Sequence, residues 1–191
     1  MIALALLALA ASAPDPIHGG WKDAAPGPGP RGALAPLACP AGTERQGGTP
    51  PELLEEWCEA KDPYGNGRRE GPARTYYDDG GLSREERFHE GVRDGPFVEL
   101  HRNGRRAREG AFAAGRKVGT WRVFFESGAP EEESEWREGS AHGRFVAWWP
   151  GGARRTEGRH CGGAQCGRWR TFDRDGRPLG EVDYGEQSLL P

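Results

Sequence analysis

The sequence predicts an all-β fold, an elongated twisted antiparallel sheet of about six consecutive β-hairpins. Three observations predict it. A 24-residue block recurs five times without a gap, beginning at Gly71, Gly95, Gly119, Gly143 and Gly167. Each block carries a turn dipeptide near its middle, between short extended segments such as RVFF and EEESEWR. Glycines interrupt the chain too often for a helix to propagate, since each costs about 1 kcal/mol there.

Numbered from its first glycine, each block repeats its chemistry by column. Position 3 is Ala73, Phe97, Trp121, Phe145 and Trp169. Position 6 is Tyr76, Leu100, Phe124, Trp148 and Phe172. Position 10 is Gly80, Gly104, Gly128, Gly152 and Gly176, preceded by Asp79, Asn103, Ser127, Gly151 and Asp175. Position 15 is Glu85, Glu109, Glu133, Glu157 and Glu181. Position 18 is Phe88, Phe112, Trp136, His160 and Tyr184, with His160 standing where the others place a carbocyclic or indole ring. His160 reads as a partly buried member of that ring stripe.

Asn-Gly and Asp-Gly favour two-residue type I′ turns, so each block reads as strand, tight turn, strand, loop. Such a turn sets position 4 opposite position 15 and position 3 opposite position 16. Arg74, Arg122 and Arg170 then face Glu85, Glu133 and Glu181, whereas the even blocks present Val98 and Val146 to Glu109 and Glu157. This alternation indicates a superperiod of two blocks, 48 residues. A lone hairpin is marginal in water, and stacking of about three gives a stable core.

The first residues, 1–13, read as a signal peptide, with cleavage after Ala10 or Ala13. Residues 14–38 form a disordered linker rich in Pro, Gly and Ala. Residues 39–70 read as a divergent capping hairpin plus an insertion. The repeats follow at 71–94, 95–118, 119–142, 143–166 and 167–187, and 188–191 is a tail. The expected location is outside the cytoplasm, whether periplasmic, on the outer surface or secreted.

Four cysteines in an exported chain suggest two disulfides. Placing Trp57 at position 18 makes residues 39–58 a hairpin turning at Gly48-Thr49, with Cys39 facing Cys58. Cys161 and Cys166 flank a short loop and can bridge locally, while crossed pairings would span about four repeats, beyond disulfide reach. A zinc site at His160, Cys161 and Cys166 is disfavoured because adjacent strand residues point to opposite faces. No metal or cofactor is expected.

Net charge is −3 and the pI about 6.0, so nothing points to nucleic acid. No nucleophile elbow, phosphate-binding loop or paired-histidine motif is present, and a Glu repeated once per hairpin opposite Arg reads as a structural ladder, so no enzyme activity is expected. Position 6 shares a face with the Glu column, opposite the position 3 and 18 rings. Tyr76, Leu100, Phe124, Trp148 and Phe172 with Glu109, Glu133 and Glu157 are therefore the candidate binding face.

The pattern G-x-(W/F)-x-x-(F/W)-x-x-x-G-x-x-x-x-E-x-x-(F/W) resembles the MORN-repeat variant family, over residues 71–187 and loosely over 39–63. The resemblance implies a right-handed twisted sheet of consecutive hairpins and roles in scaffolding, protein binding or, in some members, association with phospholipid. Some bacterial members are named as antitoxins. The expected function is an exported, non-enzymatic scaffold that binds a protein or envelope partner. The alternatives are a glycan-binding wall module using the aromatic and Glu stripe, and antitoxin-like binding of a protein toxin. The expected mature chain has no transmembrane segment and is a monomer or a weak edge-paired dimer.

Overall fold

The computed structural model describes residues 35–185. The expected signal peptide, most of the linker and the 188–191 tail lie outside the described residues. Twelve strands follow one another: β1 (Glu44–Gly47), β2 (Glu55–Lys61), β3 (Gly67–Tyr76), β4 (Leu82–His89), β5 (Val92–Leu100), β6 (Arg106–Ala113), β7 (Arg116–Phe124), β8 (Pro130–Arg137), β9 (Ser140–Trp148), β10 (Arg154–Cys161), β11 (Ala164–Phe172) and β12 (Pro178–Asp183). They form one open antiparallel sheet in which spatial order equals chain order. Every connection is a hairpin, so each strand pairs only with its sequence neighbours. Among the described residues there is no helix and no second layer.

The expected register is present across the repeats. Position 4 lies opposite position 15 in all five blocks: Arg74 with Glu85, Val98 with Glu109, Arg122 with Glu133, Val146 with Glu157 and Arg170 with Glu181.

The turns that produce it differ from the expected ones. The mid-block connection is a three-residue loop, not a two-residue type I′ turn. Gly80 N donates to Tyr77 O at 3.0 Å, and Tyr77 N donates to Gly81 O at 2.8 Å. Only the glycine of the Asp79-Gly80 pair has positive φ, at 85°. This is a turn followed by a left-handed glycine and a bulge. The bulge, between Thr75 and Tyr76 in the first block, recurs in each and restores the offset that a two-residue turn would have given. The position 9 side chain favours this geometry. Asp79 Oδ1, Asn103 Oδ1 and Ser127 Oγ each accept the N–H two residues on.

The true two-residue turns lie in the segments expected to be loops. His89 pairs with Val92 around Glu90-Gly91, and both central residues have positive φ. Ala114-Gly115, Glu138-Gly139 and Gly162-Gly163 repeat the arrangement. Along this edge each turn glycine donates to the preceding hairpin, from Gly91 N to Arg69 O and from Gly115 N to Arg93 O. Glu70 accepts from Glu90 N and Asp94 from Ala114 N, which ties successive turns together sideways.

The rings pack in a recurring triad. Phe97, Phe112 and Trp121 lie 5.1–5.6 Å apart between centroids, two pairs edge-to-face and one tilted by 33°. Phe145, His160 and Trp169 repeat this at 5.0–5.3 Å with the same angles to within a few degrees. His160 therefore takes the place of Phe112 one superperiod on. Trp121 and Trp169 are buried, and each indole N–H donates to a main-chain carbonyl, of Ala111 and Arg159. Beneath them are Gly110 and Gly158, where an added Cβ would overlap the indole. Lys117 Nζ sits 4.2 Å from the Trp121 ring centroid and 4.5 Å from that of Trp136, a cation–π bracket over the exposed side of the stripe.

The first block departs from this plan. Ala73 replaces the position 3 ring and the buried Glu86 replaces the small residue at position 16. Glu86 is held by Arg84 at 3.2 Å and Arg93 at 2.6 Å, both off the hydrogen-bond axis, so the contacts are coulombic.

The N-terminal hairpin also differs from expectation. Arg45, not Cys39, lies opposite Cys58, and the β1–β2 connection spans residues 48–54 instead of turning at Gly48-Thr49. Trp57 faces Ala73, which places it in the position 16 column and not in column 18. The disulfides are nevertheless Cys39–Cys58 and Cys161–Cys166. Cys39 reaches Cys58 from the segment that precedes β1.

Two stability changes follow from this packing. Gly110→Ala should destabilise by about 1–3 kcal/mol through overpacking against Trp121, and an unchanged thermal melt would refute the contact. Burial lowers the pKa of His160 below its ordinary value, partly opposed by Glu132. Its contribution to stability is complete above the unfolded value of about 6.5 and is lost as pH falls through the lower folded value. His89, whose pKa Glu70 raises, acts in the opposite sense. His160→Phe should therefore raise the melting temperature at pH 5 more than at pH 7, and equal shifts at both would contradict the assignment.

Candidate binding face

The face opposite the rings carries two parallel rows that run across the strands. The first is charged. Following the register from β2 to β12, it reads Glu56, Arg74, Glu85, Val98, Glu109, Arg122, Glu133, Val146, Glu157, Arg170, Glu181. Each odd-block arginine bridges the glutamates on both sides. Arg74 lies 2.9 Å from Glu85 and 3.5 Å from Glu56. Arg122 lies 2.9 Å from Glu133 and 3.3 Å from Glu109. Arg170 lies 2.8 Å from Glu181 and 3.9 Å from Glu157. Valine separates the Glu–Arg–Glu triplets, so adjacent triplets never set two carboxylates directly opposite one another.

Glu109, Glu133 and Glu157 are therefore paired carboxylates. Arg106 adds a second contact to Glu109, Arg144 to Glu133 and Arg154 to Glu157. Exposed pairs of this kind each contribute about 0–1 kcal/mol, so the row specifies register and surface pattern more than stability.

Sequence reasoning missed the first member, Glu56. Placing Trp57 at position 18 concealed the match; in the observed register Glu56 opens the Glu column. It is 1% exposed. Its Oε1 accepts from Tyr76 Oη at 2.5 Å, and Arg45 lies 3.7 Å from Oε2. Burial, then the hydrogen bond to Glu56, push the Tyr76 hydroxyl up to about 12.

The second row is apolar. Its members pair as Tyr76 with Leu82, Leu100 with Arg106, Phe124 with Pro130, Trp148 with Arg154 and Phe172 with Pro178. Leu100, Phe124, Trp148 and Phe172 are half-buried. Tyr76 is 5% exposed and does not belong to an open surface. At its end of the face the chain preceding β1 lies across the sheet. Arg74 donates to Ala35 O at 2.9 Å, Leu37 is buried, and Pro40 fills the space over Gly71. From Leu100 onwards no described segment covers the row.

Trp149, the neighbour of Trp148, turns to the other face. Its Nε1 donates to Phe172 O at 3.1 Å. Tyr77 Oη donates to Leu100 O, and His101 Nε2 contacts Phe124 O, in the same place of earlier blocks. Among the described residues no group of three or more His, Cys, Asp or Glu is placed to hold a metal ion. No described helix is long and apolar enough to cross a membrane. No family model matches the chain, and no curated protein matches it.

Tyr76→Phe should cost about 1–3 kcal/mol, because the buried Glu56 carboxylate loses its only short donor among the described residues. In the parent protein, the stability due to Tyr76 is complete below the unfolded value of about 10 and declines as pH rises through about 12. The Phe variant should lack that alkaline decline; a denaturation series from pH 9 to 12 with parallel curves would refute it.

Proposed function

We propose that this chain is a non-enzymatic, exported repeat scaffold that binds a protein partner on the face carrying the two rows. The observation behind this reading is the uncovered stretch from Leu100 to Phe172, where half-buried apolar side chains run beside a patterned row of paired charges. A single-layer sheet has no interior on that side, and apolar side chains interspersed with arginine and rimmed by paired charge have the anatomy of a docking surface. The two disulfides support an oxidising location, as does the apolar opening of the sequence. The Glu–Arg–Glu–Val order recurs every four strands, about 19 Å, which suits an extended or repetitive partner.

The test is capture from cell-envelope extract by immobilised mature chain, with Trp148→Ala and Phe172→Ala beside it. Loss of one specific protein from the captured set with both variants supports the reading. Capture indifferent to both, with retention on a polysaccharide array that Trp148→Ala abolishes, would replace protein with glycan as the ligand.

A further inference from the structure

On the same face a groove runs beside the charged row, where positions 2 and 17 of adjacent strands meet. Near the N-terminal end it is a small cleft of about 100 Å³ lined by Pro72, Glu85, Arg87, Pro96 and Val98. Between β9, β10 and β11 it opens to about 300 Å³, and arginine now stands at position 2 as well as at position 17. Arg144, Arg159, Arg168 and Arg170 line it with Val146 and Glu157. Prolines at position 2 have become Arg144 and Arg168.

The cations are arranged as a row. Arg144 and Arg159 are direct cross-strand partners. Like charges set opposite in a sheet destabilise it. The flanking arginines are anchored outward, Arg144 to Glu133 at 3.2 Å and Arg168 to Glu181 and Asp183 at 3.8 and 3.7 Å. Arg170 is committed to Glu181 and Glu157. Arg159, the middle member, is exposed and has no ion-pair partner among the described residues. Arg159 and Arg170 have counterparts in Arg87 and Arg74 of the first block, but only here do arginines at position 2, Arg144 and Arg168, flank them, so that four guanidinium groups line one cleft.

We propose that this cleft binds a tetrahedral oxyanion, a phosphate group free or as a monoester, between Arg159, Arg144 and Arg168. Guanidinium forks match phosphate oxygens in pairs, and the incoming charge relieves the Arg144–Arg159 repulsion. The site goes beyond the docking surface described above and does not depend on it, so failure to capture a protein leaves it standing.

Calorimetric titration of the disulfide-intact mature chain with inorganic phosphate, and separately with glycerol 3-phosphate, tests this. Saturable binding of one equivalent is expected, with equal affinities pointing to the free ion and a tighter monoester pointing to an ester ligand. Arg159→Gln should weaken binding about tenfold or more. Arg159→Lys, which keeps the charge and loses the fork, should fall between. Arg87→Gln, in the proline-walled cleft, should leave affinity unchanged. Circular dichroism and thiol titration establish that each variant is folded and oxidised. No saturable binding of either probe, or equal losses in Arg159→Gln and Arg87→Gln, would overturn the proposal.

Discussion

Trp121 lies over Gly110 on the neighbouring strand, and Trp169 lies over Gly158 in the same manner. A strand pair slipped by one residue would turn every side chain to the wrong face and set the indole against a side chain instead of a bare Cα. The edge-to-face partners Phe112 and His160 close around each indole, and the indole N–H is satisfied by a main-chain carbonyl. In a sheet with no second layer among the described residues, these triads stand in for a core. They depend on neighbouring hairpins, since each contains rings from two consecutive blocks. The single sheet therefore holds together by contacts between modules, as solenoid arrays do.

The charged row on the opposite face obeys the same registration. A glutamate column with no arginines would leave unpaired carboxylates on every second strand, and arginine at every block would leave no apolar spacer. Alternating Arg with Val gives triplets separated by a methyl-bearing side chain. The most buried triplet is the first, where Glu56 and Arg74 are enclosed by the chain preceding β1 and by Tyr76. Glu56 Oε1 accepts from Tyr76 and Arg74, while Oε2 has the Arg45 charge at 3.7 Å and no hydrogen bond among the described residues. The Cys39–Cys58 bridge fixes that segment against β2. One face is thus covered at the N-terminal end of the sheet, while Leu179, Val182 and Tyr184 are exposed at the other end.

Much of this was legible because the repeat has no insertion over five blocks. Column arithmetic on Arg74, Glu85 and their equivalents was enough to register ten strands, and the face assignment of positions 3 and 6 followed from strand alternation. The turn chemistry was not legible in the same way. Asp79-Gly80 suits either a two-residue turn or a three-residue loop with a bulge, and the bulge makes the two indistinguishable further along the ladder. Glu90-Gly91 and Ala114-Gly115 lack the Asn or Asp that would have marked them as the true two-residue turns. The N-terminal hairpin failed for a different reason. Its connection is seven residues long by register, and with the period broken, the only guide was a tryptophan that occurs in more than one column. Of the candidate face, the membership of Tyr76 could not be judged without knowing that Ala35–Pro40 folds back over it. Arg159 and its neighbours gave no sequence signal, because arginine is common throughout the chain and only the groove reveals that they converge.

The alternation of blocks also governs how such a chain can change length. Removing one block, residues 119–142, would bring β6 beside β9, leaving Glu109 facing Val146 and Gly110 beneath Phe145. Removing two, residues 119–166, would bring β6 beside β11, restoring an arginine to Glu109 and an indole to Gly110. Growth and loss by duplication are therefore quantised in pairs of hairpins, and related proteins of this architecture should differ in size by even steps.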